Sequence, residues 1–327
     1  MKLRAIIKKY FSFLIPLVLI KEFSYDYKNY LKHSAIKGYK NNCKKLIAII
    51  IEQYHIVEKG LTMPETRLGF GLENIISLID NCQLYYLKYD KSNPQLKHAV
   101  EVIFEYRSFH KERAFTLNSL LLRKIEELES THISEKCSNQ IITNKEEYFK
   151  YCNSSFDLFS NSRKSVRNYS EEEIPNELLN KAVEISRNAP SSCNRQAVKA
   201  NILCDNEKII KVLDIQGGNR GFGHLTNKLI IITADLSVCQ GASEKHQVYV
   251  DGGMYAMNLL YSLHHNKIVA CSLNCNFTKS KDQKLRKILD IPDSEVFIVM
   301  FSCGFAPNEF KIALSERNPT NEYIRFI

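Results

Sequence analysis

The first half of the chain carries apolar residues at helical spacing. Within residues 43–60, large apolar side chains recur every three or four positions, which places them on one face of a helix. The same period returns further along the chain, so the predicted helices span residues 43–60, 71–90, 93–109 and 115–130. Gly60 stands where we expect the first of these helices to stop, because glycine readily adopts the left-handed conformation that ends helices.

The second half mixes two periods. Residues 175–188 predict a helix with Pro175 near its first turn. Residues 251–267 predict a helix with so few polar residues that we expect it to be buried on most sides. Alternating or β-branched runs predict four strands, at residues 197–204, 227–235, 267–274 and 295–305. Interleaved helices and strands predict a sheet-based α/β or α+β unit.

Residues 131–144 are polar and follow neither period. We therefore place a domain boundary there, with an all-α region over residues 1–145 and a sheet-containing domain over residues 146–327. Charge supports the division, because the net charge is +8 before this boundary and +1 after it. A basic first region suits an anionic membrane, nucleic acid or an acidic partner, or is simply a solvated surface. Without a nucleic-acid-reading motif, we expect no nucleic-acid partner.

The ten cysteines show neither C-x-x-C pairs nor zinc-like spacing. We expect reduced thiols, no metal site and a cytoplasmic protein.

Residues 1–23 begin with four basic side chains and continue into an apolar run of about eleven residues. A spanning helix needs about twenty apolar residues, and Pro16 interrupts this run. No small-x-small cleavage site follows, which disfavours a removable signal. We favour a packed N-terminal helix, and a helix lying weakly on an anionic membrane surface is the alternative.

The first stretch that suggests chemistry is SRKSVRNY, at residues 162–169. In an extended chain, Arg163, Ser165 and Arg167 lie on one face, since side chains alternate. Two guanidinium groups and a hydroxyl suit a phosphate. The alternative is a solvated basic cluster.

Two loops also contain residues that could contribute to a binding site. In residues 187–198, Pro190 ends a helix, and Asn194 and Gln196 offer amide donors and acceptors that suit the edge of a heterocyclic ring. A plain helix-terminating loop is equally consistent with that stretch. The glycine-rich loop Gly217–Gly223 is neither a G-x-G-x-x-G nor a Walker sequence, so a Rossmann nucleotide site is not supported.

Taken in order, five pieces of the chain resemble the FMN-dependent nitroreductase family. They are SRKSVRNY, APSSCNRQ, DGGMYAMNLLYSL, ACSLN and SERNP, within about residues 155–320. The resemblance implies an α+β fold with a central, mainly antiparallel sheet flanked by helices. It also implies an obligate homodimer with FMN at the interface and NAD(P)H as co-substrate. On this resemblance the cofactor-binding residues are Arg163, Lys164, Ser165, Arg167, Asn194, Gln196, Ser272, Leu273, Asn274 and Arg317.

The resemblance assigns roles within that set. Arg163 and Ser165 match phosphate and ribityl contacts, and Arg317 matches a late basic residue on the phosphate. Arg167 matches the cation near N1 and O2 of the flavin, where it would stabilise the negative charge of the reduced ring. Asn194 matches an amide that meets the ring from its own or the other subunit.

The segment Ser272–Asn274 matches a loop whose backbone faces N5. Because the flavin carries the chemistry, no acid–base set of side chains is required.

Three positions depart from the pattern of the family. Ala197-Val198 stands where the family often has Pro-Trp. Asn266 replaces a glycine after the predicted buried helix, and we expect it in the left-handed conformation. Ser315 replaces a basic residue often found two positions before Arg317.

The first half contains YHIVEKGLTMPETRLGFG, at residues 54–71. It resembles a helical extension found in a subgroup of nitroreductase-like proteins among cell-surface polysaccharide genes. His55 and Glu58 share a helix face. The alternative is that Lys59-Gly60-Leu61 is merely a helix terminus and that Arg67 is an ion-pair partner.

The sequence therefore predicts an FMN-dependent oxidoreductase that moves electrons from NAD(P)H to an unidentified small acceptor. Nitro compounds, quinones, enones and a polysaccharide-pathway intermediate are the acceptor classes. The alternative is a flavin-binding accessory protein that docks, through its basic helical region, to a polysaccharide-assembly partner or a membrane surface.

Overall fold

A computed structural model describes residues 15–131 and 140–327 of the chain. Its helices, in chain order, are α1 (Ile15–His33), α2 (Cys43–Leu61), α3 (Leu72–Lys88), α4 (Pro94–Glu112), α5 (Ser119–Thr131), α6 (Lys145–Phe149), α7 (Phe156–Ser162), α8 (Asn176–Ser186), α9 (Asn206–Gln216), α10 (Gln247–His265) and α11 (Lys279–Leu289). Its strands are β1 (Gln140–Asn144), β2 (Val198–Leu203), β3 (Lys228–Asp235), β4 (Val269–Asn274), β5 (Glu295–Gly304) and β6 (Glu309–Ala313).

The helical region has its own core, formed by the apolar faces of α2 to α5. These four helices confirm the periodicity of the sequence. The first of them, α2, ends at Leu61, one residue beyond the predicted stop, but Gly60 does not take the left-handed conformation expected of it. The residue is small for another reason: a Cβ at Gly60 would stand 2.1 Å from the Phe70 ring.

The four predicted strands form one antiparallel sheet in the order β2-β3-β5-β4. Strand β3 shows why they were recognisable. Leu229 and Ile231 point into one core, whereas Ile230 and Ile232 point into the core on the other face. The mixed α+β architecture with an antiparallel sheet, expected from the resemblance, is confirmed.

A strand not predicted from the sequence lies at the proposed boundary. β1 pairs antiparallel with β6, so the chain just before residue 145 completes a small sheet with a segment near the C-terminus. The helices α6, α7, α9 and α11 were also not predicted. Division of the chain at residue 145 remains a prediction.

Helix α10 departs from expectation in two ways. It is not buried on most sides, because the side chains of Tyr249, Val250 and Met254 are exposed. The left-handed residue after it is Lys267 and not Asn266, whose φ is −82°. The amide of Asn266 instead donates to the carbonyl of Ser262 in the last turn.

Helix α1 is not packed into a core, which corrects the expectation for the N-terminal helix: none of its side chains is buried. Ionic contacts hold it against the chain just before α10, where Asp26 lies 2.9 Å from His246 and 3.5 Å from Lys245. Residues 1–14, with the basic cluster, lie outside the described residues, and a membrane-surface role for residues 1–23 stays a prediction. Across residues 15–131 and 140–327, the helices are too short or too polar to cross a membrane.

Candidate functional site

The basic stretch lies along the open edge of β4. The amide of Val166 donates to the carbonyl of Ala270, which fixes the stretch beside the sheet. Val166 is completely buried in the core below the sheet. Its neighbours Ser165 and Arg167 therefore turn the other way and line a cavity. The predicted alternation therefore holds for Ser165, Val166 and Arg167, but Lys164 lines the cavity as well.

This cavity has a volume of about 460 Å³ and lies between the helical region and the sheet-containing region. Six of the ten predicted cofactor residues line it: Arg163, Lys164, Ser165, Arg167, Ser272 and Arg317. Residues of the helical region form the facing wall: Ile51, Tyr54, His55, Glu58 and Gln95. The cavity therefore belongs to both halves of the chain.

The described cations of the cavity form no ion pairs, although the carboxylates of Glu58 and Glu316 line the same space. Within the described ranges, Arg163, Lys164, Arg167 and Arg317 form no ion pair. The buried Nε of Arg163 finds no hydrogen-bond acceptor in this part of the protein. Burial, together with the charges of Arg317 and Arg163, lowers the pKa of Lys164. Such crowding of positive charge favours an anionic ligand.

Arg167 is the most buried of these cations, with 7% of its surface exposed. Lys59 of the helical region lies close enough that burial and the charge of Arg167 lower its pKa. The thiol of Cys271 is also near Arg167, although burial keeps its pKa raised. A fixed, desolvated guanidinium has a strong field in such a site, since little water screens it.

Glu58 is the principal anion on the facing wall, and it is 1% exposed. Burial alone would raise the pKa of its carboxyl. Hydrogen bonds from His55, His98 and the Ser315 amide outweigh that effect and lower the pKa to about 2. His55 and Glu58, the two residues of the HxxE motif, thus both lie at the site, and Nδ1 of His55 is 3.5 Å from Oε2 of Glu58. Among the described residues Arg67 forms no ion pair.

Asn194 and Gln196 are exposed and do not line the cavity of their own chain. Their loop is fixed in an unusual conformation, with positive φ at Cys193, Asn194 and Gln196. The guanidinium of Arg195 anchors it by donating to the carboxylate of Glu244 and to the loop's own carbonyl oxygen. Backbone held in sparsely populated conformations is a feature of functional loops.

The segment Ser272–Asn274, which the resemblance matched to a loop, forms the last residues of β4, as the strand pattern over residues 267–274 predicts. It is paired with β5, which accounts for its position. Ser272 is exposed toward the cavity, whereas Leu273 is buried in the core. The carbonyl of Asn274 accepts a hydrogen bond from the Gln216 side chain. Only the first of the three residues therefore lines the cavity.

Several lining residues were not predicted. Tyr54 and Gln95 occupy buried positions of α2 and α4 and resemble ordinary core residues in the sequence. A polar glutamine among apolar helix positions was the only local signal. The glycine-rich loop has a structural role, because Phe222 is buried in the core and Gly221 lies against Met63.

One segment that contributes to this site is similar to a known protein family. Residues 161–219 match the model of the nitroreductase family. The matched residues begin just before the basic stretch and include the Asn194 loop. The match confirms the resemblance to the nitroreductase family for SRKSVRNY and APSSCNRQ, and the other three motifs lie outside the matched residues. No curated protein matches the chain.

Solved structures of nitroreductases resemble about half of the chain. An FMN-dependent nitroreductase from Clostridium difficile is 21% identical, with a TM-score of 0.43, over 51% of this chain and 96% of that one. Nitroreductase A from Vibrio parahaemolyticus is 16% identical, with a TM-score of 0.44, over 50% and 72%. A nitroreductase family protein from Clostridium novyi is 18% identical, with a TM-score of 0.41, over 47% and 86%.

Proposed function

We propose that this nitroreductase-like protein is an FMN-dependent oxidoreductase that takes electrons from NAD(P)H and passes them to a small-molecule acceptor. The observation that supports this most directly is the cavity itself. Cations from SRKSVRNY and Arg317, without ion-pair partners among the described residues, converge on one space of about 460 Å³. A phosphate-bearing, electron-accepting cofactor fits that charge and the family match together.

The residues present fit FMN. Arg163, Ser165 and Arg317 would hold its phosphate, since guanidinium groups and a hydroxyl are strong donors to phosphate oxygens. The unpartnered Nε of Arg163 is a donor that such a ligand would satisfy. Arg167 and Ser272, further along the same wall, would face the ring. When bound, FMN supplies the hydride and electron chemistry.

Arg167 would contribute electrostatically. Its guanidinium is held by the extended stretch beside β4 and is nearly excluded from solvent. A positive charge preorganised in this way stabilises negative charge that develops on a neighbouring ring. The nearby Lys59 adds to the same field. Both groups would act by position, without transferring a proton.

We further propose a homodimer. Asn194 and Gln196 do not reach the cavity of their own chain, so they would serve the cofactor site of a second copy. The exposed apolar face of α10, which includes Tyr249, Val250 and Met254, offers a surface for that copy. Large exposed apolar patches commonly mark protein interfaces.

The acceptor is a nitro compound, quinone, enone or polysaccharide-pathway intermediate. The flavin-binding accessory role remains the second candidate, because the helical region forms a whole wall of the cavity. Oxidation of NAD(P)H distinguishes the two candidates, because only the oxidoreductase would turn it over.

The test has two stages. Purified protein is first titrated with FMN, and binding is followed by quenching of flavin fluorescence. Anaerobic NADH or NADPH is then added, and we expect the visible absorbance of the oxidised flavin to bleach as the flavin is reduced. The Arg317→Ala variant should bind FMN at least about 10-fold more weakly, whereas Arg123→Ala, on the exposed face of α5, should not. Absence of FMN binding would refute the proposal, and binding without bleaching would favour the accessory role.

A further inference from the structure

We propose that the helical extension is an integral part of the cofactor site, and that Glu58 is a positioning residue that fixes the Arg317 segment for the FMN phosphate. This inference rests on the proposed function. It gives the HxxEKG motif a role: the motif holds the phosphate end of the site in shape and leaves the reacting ring to the nitroreductase-like segment.

Glu58 of the helical region contacts Ser315, two residues before Arg317. The Ser315 amide donates to Oε1 of Glu58 over 2.9 Å, and its hydroxyl lies 3.5 Å from Oε2. The carboxylate is fixed from the other side by Nε2 of His98 at 3.3 Å and Nδ1 of His55 at 3.5 Å. A buried carboxylate with so many donors is rigid, since any movement would leave it unsatisfied.

The next feature is the conformation of the segment that Glu58 holds. Ser315 has a φ of +52°, a left-handed conformation that costs a non-glycine residue roughly 1 kcal/mol. Nη1 of Arg317 donates to the carbonyl of this same residue over 2.7 Å. The backbone of Ser315 thus links the two charged groups: its amide contacts Glu58 and its carbonyl orients Arg317.

A second contact acts on the intervening residue. The hydroxyl of Tyr54 donates to Oε1 of Gln95 over 2.5 Å. Nε2 of Gln95 then donates to the carbonyl of Glu316 over 3.4 Å. Helices α2 and α4 therefore fix two consecutive residues of the segment, Ser315 and Glu316, through their backbones.

The charge of Glu58 does not neutralise the cations of the cavity. Glu58 lines the same cavity as Arg317 but forms no ion pair with it; within residues 15–131 and 140–327 its ionic contacts are with His55 and His98. Its oxygens are used by these rings and by Ser315. The carboxylate therefore shapes the segment without neutralising the cavity cations, which stay free for a phosphate. This separation is what distinguishes a positioning residue from a competing anion.

The experiment compares FMN with riboflavin, which has the same ring and ribityl chain but no phosphate. We would measure Kd for both ligands in the full-length protein and in the Glu58→Gln variant, which keeps size and removes charge. The control is Glu101→Gln, a buried carboxyl of α4 that does not line the cavity. We expect Glu58→Gln to weaken FMN binding about 10-fold, as for a lost charge-assisted hydrogen bond, and to leave riboflavin binding within about 2-fold.

The outcomes separate the inference from the function. Equal losses for both ligands, or no loss for FMN, would overturn the role of Glu58 while leaving an FMN protein. Wild-type protein that binds neither ligand would refute the function itself and the inference with it. Combined with Arg317→Ala, Glu58→Gln should add little further loss, since it acts through Arg317; fully additive losses would overturn the proposal. Gln95→Met, which breaks the second contact, should show the same selective loss if Glu58→Gln does not fold.

Discussion

The amide of Ser315 donates to the carboxylate of Glu58 over 2.9 Å, although 257 positions separate the two residues. The contact joins the helical region to the segment that follows β6. The Glu58 carboxyl stays charged although it is buried, because hydrogen bonds from His55, His98 and the Ser315 amide lower its pKa to about 2. Stability of the whole chain should therefore depend on the ionisation of this one side chain.

The first prediction is a pH-dependent effect of Glu58→Gln on stability. An unfolded glutamate titrates near 4.5 and the folded Glu58 near 2. The stabilisation is therefore fully present above about pH 4.5 and is lost as the pH falls toward 2. Wild type should exceed the variant by on the order of 2 kcal/mol at pH 6 in urea unfolding, and the gap should narrow between pH 4.5 and 3. A gap that stays constant down to pH 3 would contradict this.

Arg167→Met should have opposite effects on stability and on binding. A buried cation without an ionic partner costs desolvation energy, and Met fills similar space without that cost. The ligand-free variant should therefore be more stable than wild type by about 1 kcal/mol or more, and should bind FMN about 10-fold more weakly. Thermal unfolding with and without FMN measures both. Arg317→Met is the matched control: its side chain is exposed, so only binding should change. A destabilised ligand-free Arg167→Met would show that the contacts of the guanidinium, which include the Cys271 thiol, outweigh the cost of its burial.

His264 provides a second pH-dependent prediction. Burial, aided by the charges of Arg163 and His265, lowers the pKa of this histidine from 6.5 to about 4. The folded state therefore keeps it neutral, and stability present above pH 6.5 is lost as the pH falls toward 4, at up to about 1.4 kcal/mol per pH unit. His264→Phe, packed among Tyr148 and Phe149, should lose less stability over this range. If the free energy of unfolding fell equally with pH in the variant and in wild type, His264 would not be the source of the pH dependence.

In a monomeric background, Gly60 and Gly253 should respond oppositely to alanine. Alanine favours helix over glycine by about 1 kcal/mol, and a Cβ at Gly253, three residues from Val250 in α10, meets nothing within 4 Å in its own chain. At Gly60 the Cβ would overlap the Phe70 ring, so overpacking should dominate and cost about 1–3 kcal/mol. Denaturant unfolding of the two variants checks the contrast. Stabilisation by Gly60→Ala would mean that the Phe70 ring moves away freely.

The sequence predicted those features that depend on local pattern. β3 was recognisable because its apolar residues serve two cores. The Arg163–Arg167 face followed from strand alternation. β1 was not predicted because its stability comes from pairing with β6, about 170 residues later. The cavity positions of Tyr54 and Gln95 were not predicted either. Those positions arise only when α2 and α4 pack against the segment after β6, and no local period of the sequence encodes that contact.

The last prediction concerns the exposed face of α10. Val250 is 54% exposed beside Tyr249 and Met254, although each is apolar. If a second copy covers this face, Val250→Glu would bury a carboxylate in an apolar interface, which is strongly unfavourable. We expect wild type to be a dimer and the variant a monomer by light scattering, with weaker FMN binding because the partner's Asn194 loop is lost. Lys181→Glu, an exposed charge change on α8, is the control and should stay dimeric. A monomeric wild type, or a Val250→Glu dimer with unchanged FMN affinity, would show that α10 does not form the interface and that each cavity is complete within one chain.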